Sequence, residues 1–381
     1  MDRPMASWEE GVVDLARKLH PDVDIADAGT RTDYYFLKTT AEPERSAMHD
    51  AMKQPGLYRT LNAVDGSFDA FQDMLDAGDE AFICSTPSLE NPTCASDKLA
   101  WLDQRGGRQV TERSVLTFDK TIILGDALVD DKHEIHGAHT PTWEHVVYDS
   151  AYNQNTPGPR LRNWQTWRNQ IDPIRRTPRN DFRSREQRPF TVVWDMDEPI
   201  VHWYDDIIRK TRADNPGIRI RPKEEHLRWE LPSFLEPDEL EAITRTMNTP
   251  GVYKDLTEVE GTRQAFFEML DEGIEVFIGT ASALDNPTCA SDKLIWLNDN
   301  WGSDAAHRAV ILQDKTILDA DVLIDDKPKI TGRFQPVWTH VVWDDPYNQQ
   351  SPGPRMTDPR NWREIVYPLR EKWEWERKQA A

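Results

Sequence analysis

Cysteine is scarce: Cys84, Cys94 and Cys289 are the only three in 381 residues. They are too few and too scattered for a disulfide framework or a thiolate zinc site, which fits a reducing compartment. Long apolar runs are missing as well, and none approaches the roughly 18 residues that a membrane helix needs. The opening stretch MDRPMASWEEG is acidic and has no apolar centre, so it does not read as a secretory signal, and a cytoplasmic location is expected. Positive charge is in deficit: 46 Lys and Arg face 67 Asp and Glu, a net charge of −21. A nucleic-acid backbone or an anionic membrane would be repelled, so neither is expected as a partner. The glycine-built signatures G-x-x-x-x-G-K-[ST], G-x-G-x-x-G and G-x-S-x-G are absent too, which argues against P-loop kinases, dinucleotide enzymes and serine hydrolases. Large aromatic side chains are not lacking: 15 Trp, 12 Phe and 9 Tyr supply material for cores, so disorder throughout is not expected. At about 150 residues per domain, the length suggests two or three domains.

What is there is one sequence written twice. NPTCASDKL occurs at Asn91–Leu99 and again at Asn286–Leu294, an offset of 195. The same offset aligns Trp8 with Trp203, Pro55-Gly56 with Pro250-Gly251, Asp119-Lys120-Thr121 with Asp314-Lys315-Thr316, and Asp130-Asp131 with Asp325-Asp326. It holds without a gap from Asp2 to Pro159. A long unit in two copies is a tandem domain duplication rather than a solenoid of short repeats. The expected boundaries are 1–159 for the first copy, 160–188 for a linker and 189–381 for the second. The stretch from Arg160 to Arg188 is rich in Arg and Pro, and it reads as a solvated connector that could dock on an acidic domain. A nucleic-acid arm is the sharper, less favoured reading of the same charges.

Each copy alternates strand and helix. In the second, Thr191–Trp194, Val276–Ile278, Ala309–Leu312, Val322–Ile324 and His340–Trp343 are short continuous apolar runs. Such runs between helices mean a parallel sheet covered on both faces. The expected fold is α/β: two tandem doubly wound parallel-sheet domains. Asp205 to about Thr257 has no good strand and reads as an inserted helical cap. In such a sheet, ligands bind at the carboxyl ends of the strands.

The polar residues at those ends carry the chemistry. The first strand ends in Asp195-Met196-Asp197, the next in Thr280, Lys315 follows Leu312, and another strand ends in Asp325-Asp326. Several carboxylates, one lysine and one hydroxyl on one sheet edge suit a hard divalent cation and a phosphate. A carboxylate can attack phosphorus and form an aspartyl-phosphate. A second aspartate two residues on could protonate the leaving oxygen and then activate water. Lys315 would balance phosphoryl charge and Thr280 would donate a hydrogen bond to it.

This pattern resembles the haloacid dehalogenase superfamily: DMD after the first strand, a Thr or Ser after the next, an isolated Lys and a terminal acidic pair. Within it, AFICSTPS, FDKTIILGDALVDDK and TPTWEHVVYD in the first copy are similar to the 5′(3′)-deoxyribonucleotidases. So are VFIGTASA, QDKTILDADVLIDDK and VWTHVVWD in the second copy. The resemblance spans nearly all of both copies. It implies that Asp195 is the nucleophile and a Mg²⁺ ligand. Asp197 is then the acid and base, with its backbone carbonyl on the metal. Thr280 and Lys315 become phosphate grips, and Asp325-Asp326 supply the remaining metal carboxylates. Trp203 falls where that family sets an aromatic against the nucleobase. The implied activity is Mg²⁺-dependent hydrolysis of nucleoside monophosphates, deoxyribonucleotides above all, so the expected partner is a small-molecule nucleotide substrate. Duplication leaves room for the two repeats to pack as a pseudo-dimer. A nucleotide-binding pseudoenzyme and a phosphatase for another small phosphomonoester are the alternatives.

The copies depart from that pattern in opposite ways. The second reads DMDEP where the family has DMDG, Ala281 replaces a hydroxyl, and Ala320-Asp321 replaces Gly-Asp. Glu198 is expected to add a carboxylate near the phosphate site. The first keeps Ser85, Thr86, Lys120, Asp130 and Asp131, and places Asp2 opposite Asp197. The counterpart of Asp195 would precede Met1. Either an upstream start supplies a strand and a nucleophile, or this copy is a degenerate partner with a phosphate-shaped pocket. His145 and His340 recur without metal-ligand spacing and are expected to be structural. Cys94 and Cys289 are expected to be buried, and Trp373 and Trp375 to pack as part of a terminal helix.

Overall fold

The computed structural model describes residues 1–175 and 188–380. They form two compact units, one of residues 1–137 and 141–175, the other of residues 138–140 and 188–380. No described helix is long and apolar enough to cross a membrane.

The second unit shows the complete sheet. Strands β6 (Thr191–Trp194), β7 (Glu275–Thr280), β8 (Ala309–Leu312), β9 (Val322–Asp325), β10 (Thr339–Trp343) and β11 (Arg355–Met356) all run parallel, in the order β8-β7-β6-β9-β10-β11. The chain lays β7 and β8 on one side of β6 and then returns to lay β9, β10 and β11 on the other. The reversal leaves a crevice at the carboxyl ends of β6, β7 and β9, where a doubly wound sheet holds its ligand. Continuous Val and Ile fill these strands because both faces are covered: Val192, Val193, Ile278, Val310, Leu323, Ile324, Val341 and Val342 are all inaccessible to solvent. Each such side chain contributes about 1.5–3 kcal/mol through burial. Close packing also explains one glycine. A Cβ at Gly279 in β7 would lie 2.7 Å from Val193 Cγ1 of β6.

Helices Trp203–Asp214 and Pro237–Met247 occupy the stretch expected to be a cap, joined by short 3-10 turns such as Lys223–Glu225. The helix Trp362–Ala380 follows β11. Trp373 packs edge-on against Phe190 at 5.6 Å, as expected, but Trp375 is 62% exposed and does not pack. Its place on the outer face of an amphipathic helix accounts for that difference.

The first unit repeats the plan with its sheet in two pieces. Strands β1 (Ile83–Ser85) and β2 (Ser114–Thr117) pair parallel, and so do β3 (Ala127–Asp130), β4 (Glu144–Tyr148) and β5 (Arg160–Leu161). Among the described residues no strand of this unit corresponds to β6. The stretch assigned from sequence to a linker begins inside this unit. Arg160–Leu161 is strand β5, and Leu161, Trp164 and Trp167 are buried in a core with Val146 and Tyr148. The rest of the stretch, 176–187, lies outside the described residues. A two-residue edge strand is too short to leave a periodic signal, so its place in the sheet was invisible in composition.

Candidate active site

Asp195 is the first residue beyond β6, and Asp325 is the last of β9, its neighbour in the sheet. Register alone therefore brings them together. One oxygen from each of Asp195, Asp325 and Asp326 lies within 4.8 Å of the others, and all three residues are buried. Lys315, from the turn after β8, sets Nζ 2.8 Å from Asp195 Oδ1 and 2.5 Å from Asp325 Oδ2. The backbone N–H of Met196 donates to Asp195 Oδ1 at 2.8 Å. On the far side, the Tyr347 hydroxyl donates to Asp326, Asn348 Nδ2 donates to the Asp326 carbonyl at 2.7 Å, and His340 Nε2 sits 3.1 Å from the Asp325 carbonyl. His340 is thus structural, as expected, and it braces the strand end that carries the acids.

Burial pushes the Asp195 carboxyl up to about 7 against the pull of Lys315. Burial, then the Asp325 charge, pushes Asp326 up as well. Burial would lower Lys315, but the carboxylates of Asp195 and Asp325 outweigh it and hold the ammonium well above its ordinary range. Three carboxylates around one ammonium leave an excess of buried negative charge, which is costly unless a cation joins them. Asp326 Oδ1 is buried with no hydrogen-bond partner among the described residues. An all-oxygen donor set with an oxygen to spare fits a hard divalent ion such as Mg²⁺.

Thr280 and Asp197 meet at a residue that sequence reasoning missed. Lys293 Nζ is buried and lies 2.7 Å from Asp197 Oδ2, 2.8 Å from Thr280 Oγ1 and 2.8 Å from the Ala281 carbonyl. Asp197 therefore does not join the carboxylate group through its side chain. It faces this lysine, and its Oδ1 has no partner among the described residues. The signal was available, since Lys293 is the lysine of the repeated NPTCASDKL. The structure explains most of the motif's polar residues. Asn286 Nδ2 donates to the carbonyls of Met247 and Thr249 at 2.8 and 2.9 Å. The Thr288 hydroxyl donates to Asp292 at 2.6 Å and accepts from Gly251 N at 2.8 Å. Cys289 Sγ accepts from Ala283 N at 3.3 Å, buried as expected. The motif thus ties the returning cap segment to the helix Cys289–Trp301, and that helix delivers Lys293 to the sheet edge.

Glu198 corrects an expectation. Its carboxylate is not left free beside the phosphate site: it accepts from Tyr204 N at 2.6 Å and pairs with Lys223, whose Nζ also lies 2.5 Å from Asp345. Its backbone adopts φ 74°, the left-handed region that glycine enters at no cost. Ala320-Asp321 is also remote from the chemistry. It precedes β9 at the amino end of the sheet, where Asp321 binds Arg188 and accepts from Thr191 N at 2.8 Å. Trp203 opens the helix Trp203–Asp214, half-buried and edge-on to Tyr204 at 5.4 Å.

The first unit repeats most of this geometry. Lys98 Nζ lies 2.5 Å from Asp2, 2.9 Å from Ser85 Oγ and 2.6 Å from the Thr86 carbonyl. Lys120 pairs with Asp130, and the Tyr152 hydroxyl donates to Asp131. His145 Nε2 is 3.1 Å from the Asp130 carbonyl, matching His340.

Both copies of the chain are similar to known proteins. The family model described as 5′ nucleotidase, deoxy (pyrimidine), cytosolic type C protein matches residues 30–176 and 188–371. A Bordetella bronchiseptica protein, provisionally named 5′(3′)-deoxyribonucleotidase, is 36% identical over 169 residues, 44% of this chain and 90% of that protein. The human cytosolic-type 5′(3′)-deoxyribonucleotidase is 32% identical over 45% of this chain and 90% of its own length. A solved haloacid dehalogenase family hydrolase from Deinococcus radiodurans aligns at 15% identity with a TM-score of 0.34, over 48% of this chain and 96% of that one.

Proposed function

This chain is a tandem member of the 5′ nucleotidase, deoxy (pyrimidine), cytosolic type C family, and from that premise we propose that its second half is a Mg²⁺-dependent phosphomonoesterase. Its substrates are nucleoside monophosphates, deoxyribonucleoside monophosphates foremost, and the reaction passes through an aspartyl-phosphate. The observation that carries this reading is the meeting of Asp195, Asp325, Asp326 and Lys315 at one sheet edge, with Asp197, Thr280 and Lys293 beside them.

Asp195 attacks phosphorus through one carboxylate oxygen, and the P–O bond to the nucleoside breaks as the leaving oxygen takes a proton from Asp197. Asp197 then accepts a proton from water, whose oxygen attacks the aspartyl-phosphate and releases phosphate. Asp197 Oδ1 is the oxygen left for these transfers, because Oδ2 is held by Lys293. Lys315 keeps the Asp195 carboxylate oriented and offsets charge on the phosphoryl group, and Thr280 lines the same edge. Asp195, Asp325 and Asp326 would hold Mg²⁺, which supplies charge neutralisation at the phosphoryl oxygens. Asp2, Ser85, Thr86, Lys98, Lys120, Asp130 and Asp131 form the corresponding half-site of the first copy.

The test is phosphate release from a panel of ribo- and deoxyribonucleoside monophosphates and simple phosphomonoesters, with and without Mg²⁺. Turnover of nucleotides above the other esters supports the substrate class. Turnover that favours a non-nucleotide ester selects the other phosphatase reading, and none at all in folded protein selects the pseudoenzyme.

A further inference from the structure

Two non-glycine residues among those described have a positive φ: Glu198 at 74° and Arg3 at 68°. They are the same position in the two copies, one residue after Asp197 and after Asp2. The left-handed backbone is unfavourable for an ordinary residue, so in each copy something must hold the turn. The side chain does so. Glu198 bonds Tyr204 N and pairs with Lys223, which continues to Asp345. Arg3 lies 2.7 Å from Glu9 and 3.2 Å from Ser150 Oγ. Glu9 is the counterpart of Tyr204, and Ser150 the counterpart of Asp345. Both copies tie the turn after this aspartate, Asp197 or Asp2, to the same helix start and to the same loop after the tenth or fourth strand. They do so with opposite charge at the turn. A connection rebuilt from different residues at the same two points marks the connection itself as the requirement.

We propose that Lys223 is a positioning residue for the carboxylate group of the second copy. It spans from the turn after β6, which carries Asp195, to the loop after β10, which carries Asp345. Strand β9, with Asp325 and Asp326 at its end, lies between those two strands. The second anchor also reaches the acids: the Tyr347 hydroxyl contacts both Asp345, at 3.1 Å, and Asp326. Lys223, partly exposed, and the buried Glu198, Asp345 and Tyr347 therefore form one line that brackets the donor set from both sides. The titratable groups facing Lys223 are Glu198 and Asp345, and its removal leaves two buried carboxylates that repel each other and part the loops.

This inference rests on the metal-dependent reading of the site but not on turnover. The experiment measures Mn²⁺ binding to the full chain by electron paramagnetic resonance without nucleotide, alongside the Mg²⁺ midpoint and the nucleotide KM. Lys223→Met is expected to weaken metal binding roughly 10- to 100-fold, the usual effect of losing a support behind a ligand. Lys223→Arg is expected to recover most of it. Glu198→Gly with Lys223→Met should bind metal better than Lys223→Met alone, because the double variant removes one stranded carboxylate and supplies the glycine the turn favours. Thermal unfolding checks that each variant is folded. If Lys223→Met misfolds, the comparison of Lys223→Arg and Glu198→Gln with the parent decides: weaker binding only in Glu198→Gln supports the inference, and parental binding in both overturns it. Parental metal affinity in folded Lys223→Met with a raised nucleotide KM would overturn it by making Lys223 a substrate contact. Weakened Mn²⁺ binding without nucleotide turnover in the parent would support the inference while refuting the nucleotidase reading.

Discussion

Replacing Lys293 by methionine keeps the length of the side chain and removes its charge. The ammonium has three acceptors, and at 1% side-chain exposure it is fully buried. Breaking a buried ion pair by deleting one partner costs about 3–5 kcal/mol. Asp197 retains 27% exposure, so its stranded charge can rehydrate in part, and the lower end, about 3 kcal/mol, is the expected loss of stability. The kinetic effect has a separate origin. Among the described residues Asp197 is held through Oδ2 by this lysine alone, and a displaced general acid forfeits some of the roughly 10²–10⁴-fold that such a group contributes. Lys293→Met is therefore expected to lower kcat by about 10²-fold, with metal binding retained because Asp195, Asp325 and Asp326 do not touch Lys293. Lys293→Met combined with Asp197→Asn should be little slower than Asp197→Asn alone, since both act through one group. Urea unfolding and steady-state kinetics on the four proteins measure these quantities. A stable Lys293→Met with parental kcat would refute the reasoning, and so would a strictly multiplicative double variant.

Three further outcomes follow from the packing. Gly279→Ala should cost about 1–3 kcal/mol by overpacking β7 against Val193, read as a lower denaturation midpoint; the first copy carries Cys84 at the same position. Asn286→Ala removes the two bonds that hold the Met247 and Thr249 carbonyls and should cost about 1–3 kcal/mol, seen as faster hydrogen exchange at the Gly251 amide and its neighbours. Burial lowers the pKa of His226, so below its ordinary value of 6.5 the unfolded chain takes up a proton that the native chain resists. Stability contributed by this residue is present above that pH and declines as pH falls. The Tm advantage of the chain over His226→Gln should shrink between pH 7.5 and 5.5, and an advantage that grows would contradict the assignment.

The sheet was largely legible because a covered parallel strand writes itself as continuous Val and Ile. Four of the six strands of the second unit, β6, β8, β9 and β10, match apolar runs to within one residue at either end. Strand ends then named the acids, since a parallel sheet delivers its carboxyl ends to one edge. What sequence left hidden was of two kinds. β5 and β11 have two residues each, too few for any period to show. Lys293, Tyr347 and Lys223 act through distance in the fold. Lys293 reaches Asp197 across 96 positions, and nothing local distinguishes it from a surface lysine except its place in a repeated motif. Glu198 misled for a related reason. A carboxylate next to Asp195 and Asp197 suggests repulsion, and only the fold reveals that Lys223 meets it.

The central claim is that the second copy performs metal-dependent phosphoryl transfer through Asp195. Metal-stripped full chain and its Asp195→Asn variant, each given deoxyribonucleoside monophosphates with and without added Mg²⁺, test it most directly through phosphate release. The account predicts turnover by the parent that requires Mg²⁺ and vanishes in the folded variant. Equal phosphate release by the variant would contradict it and move the chemistry elsewhere in the chain.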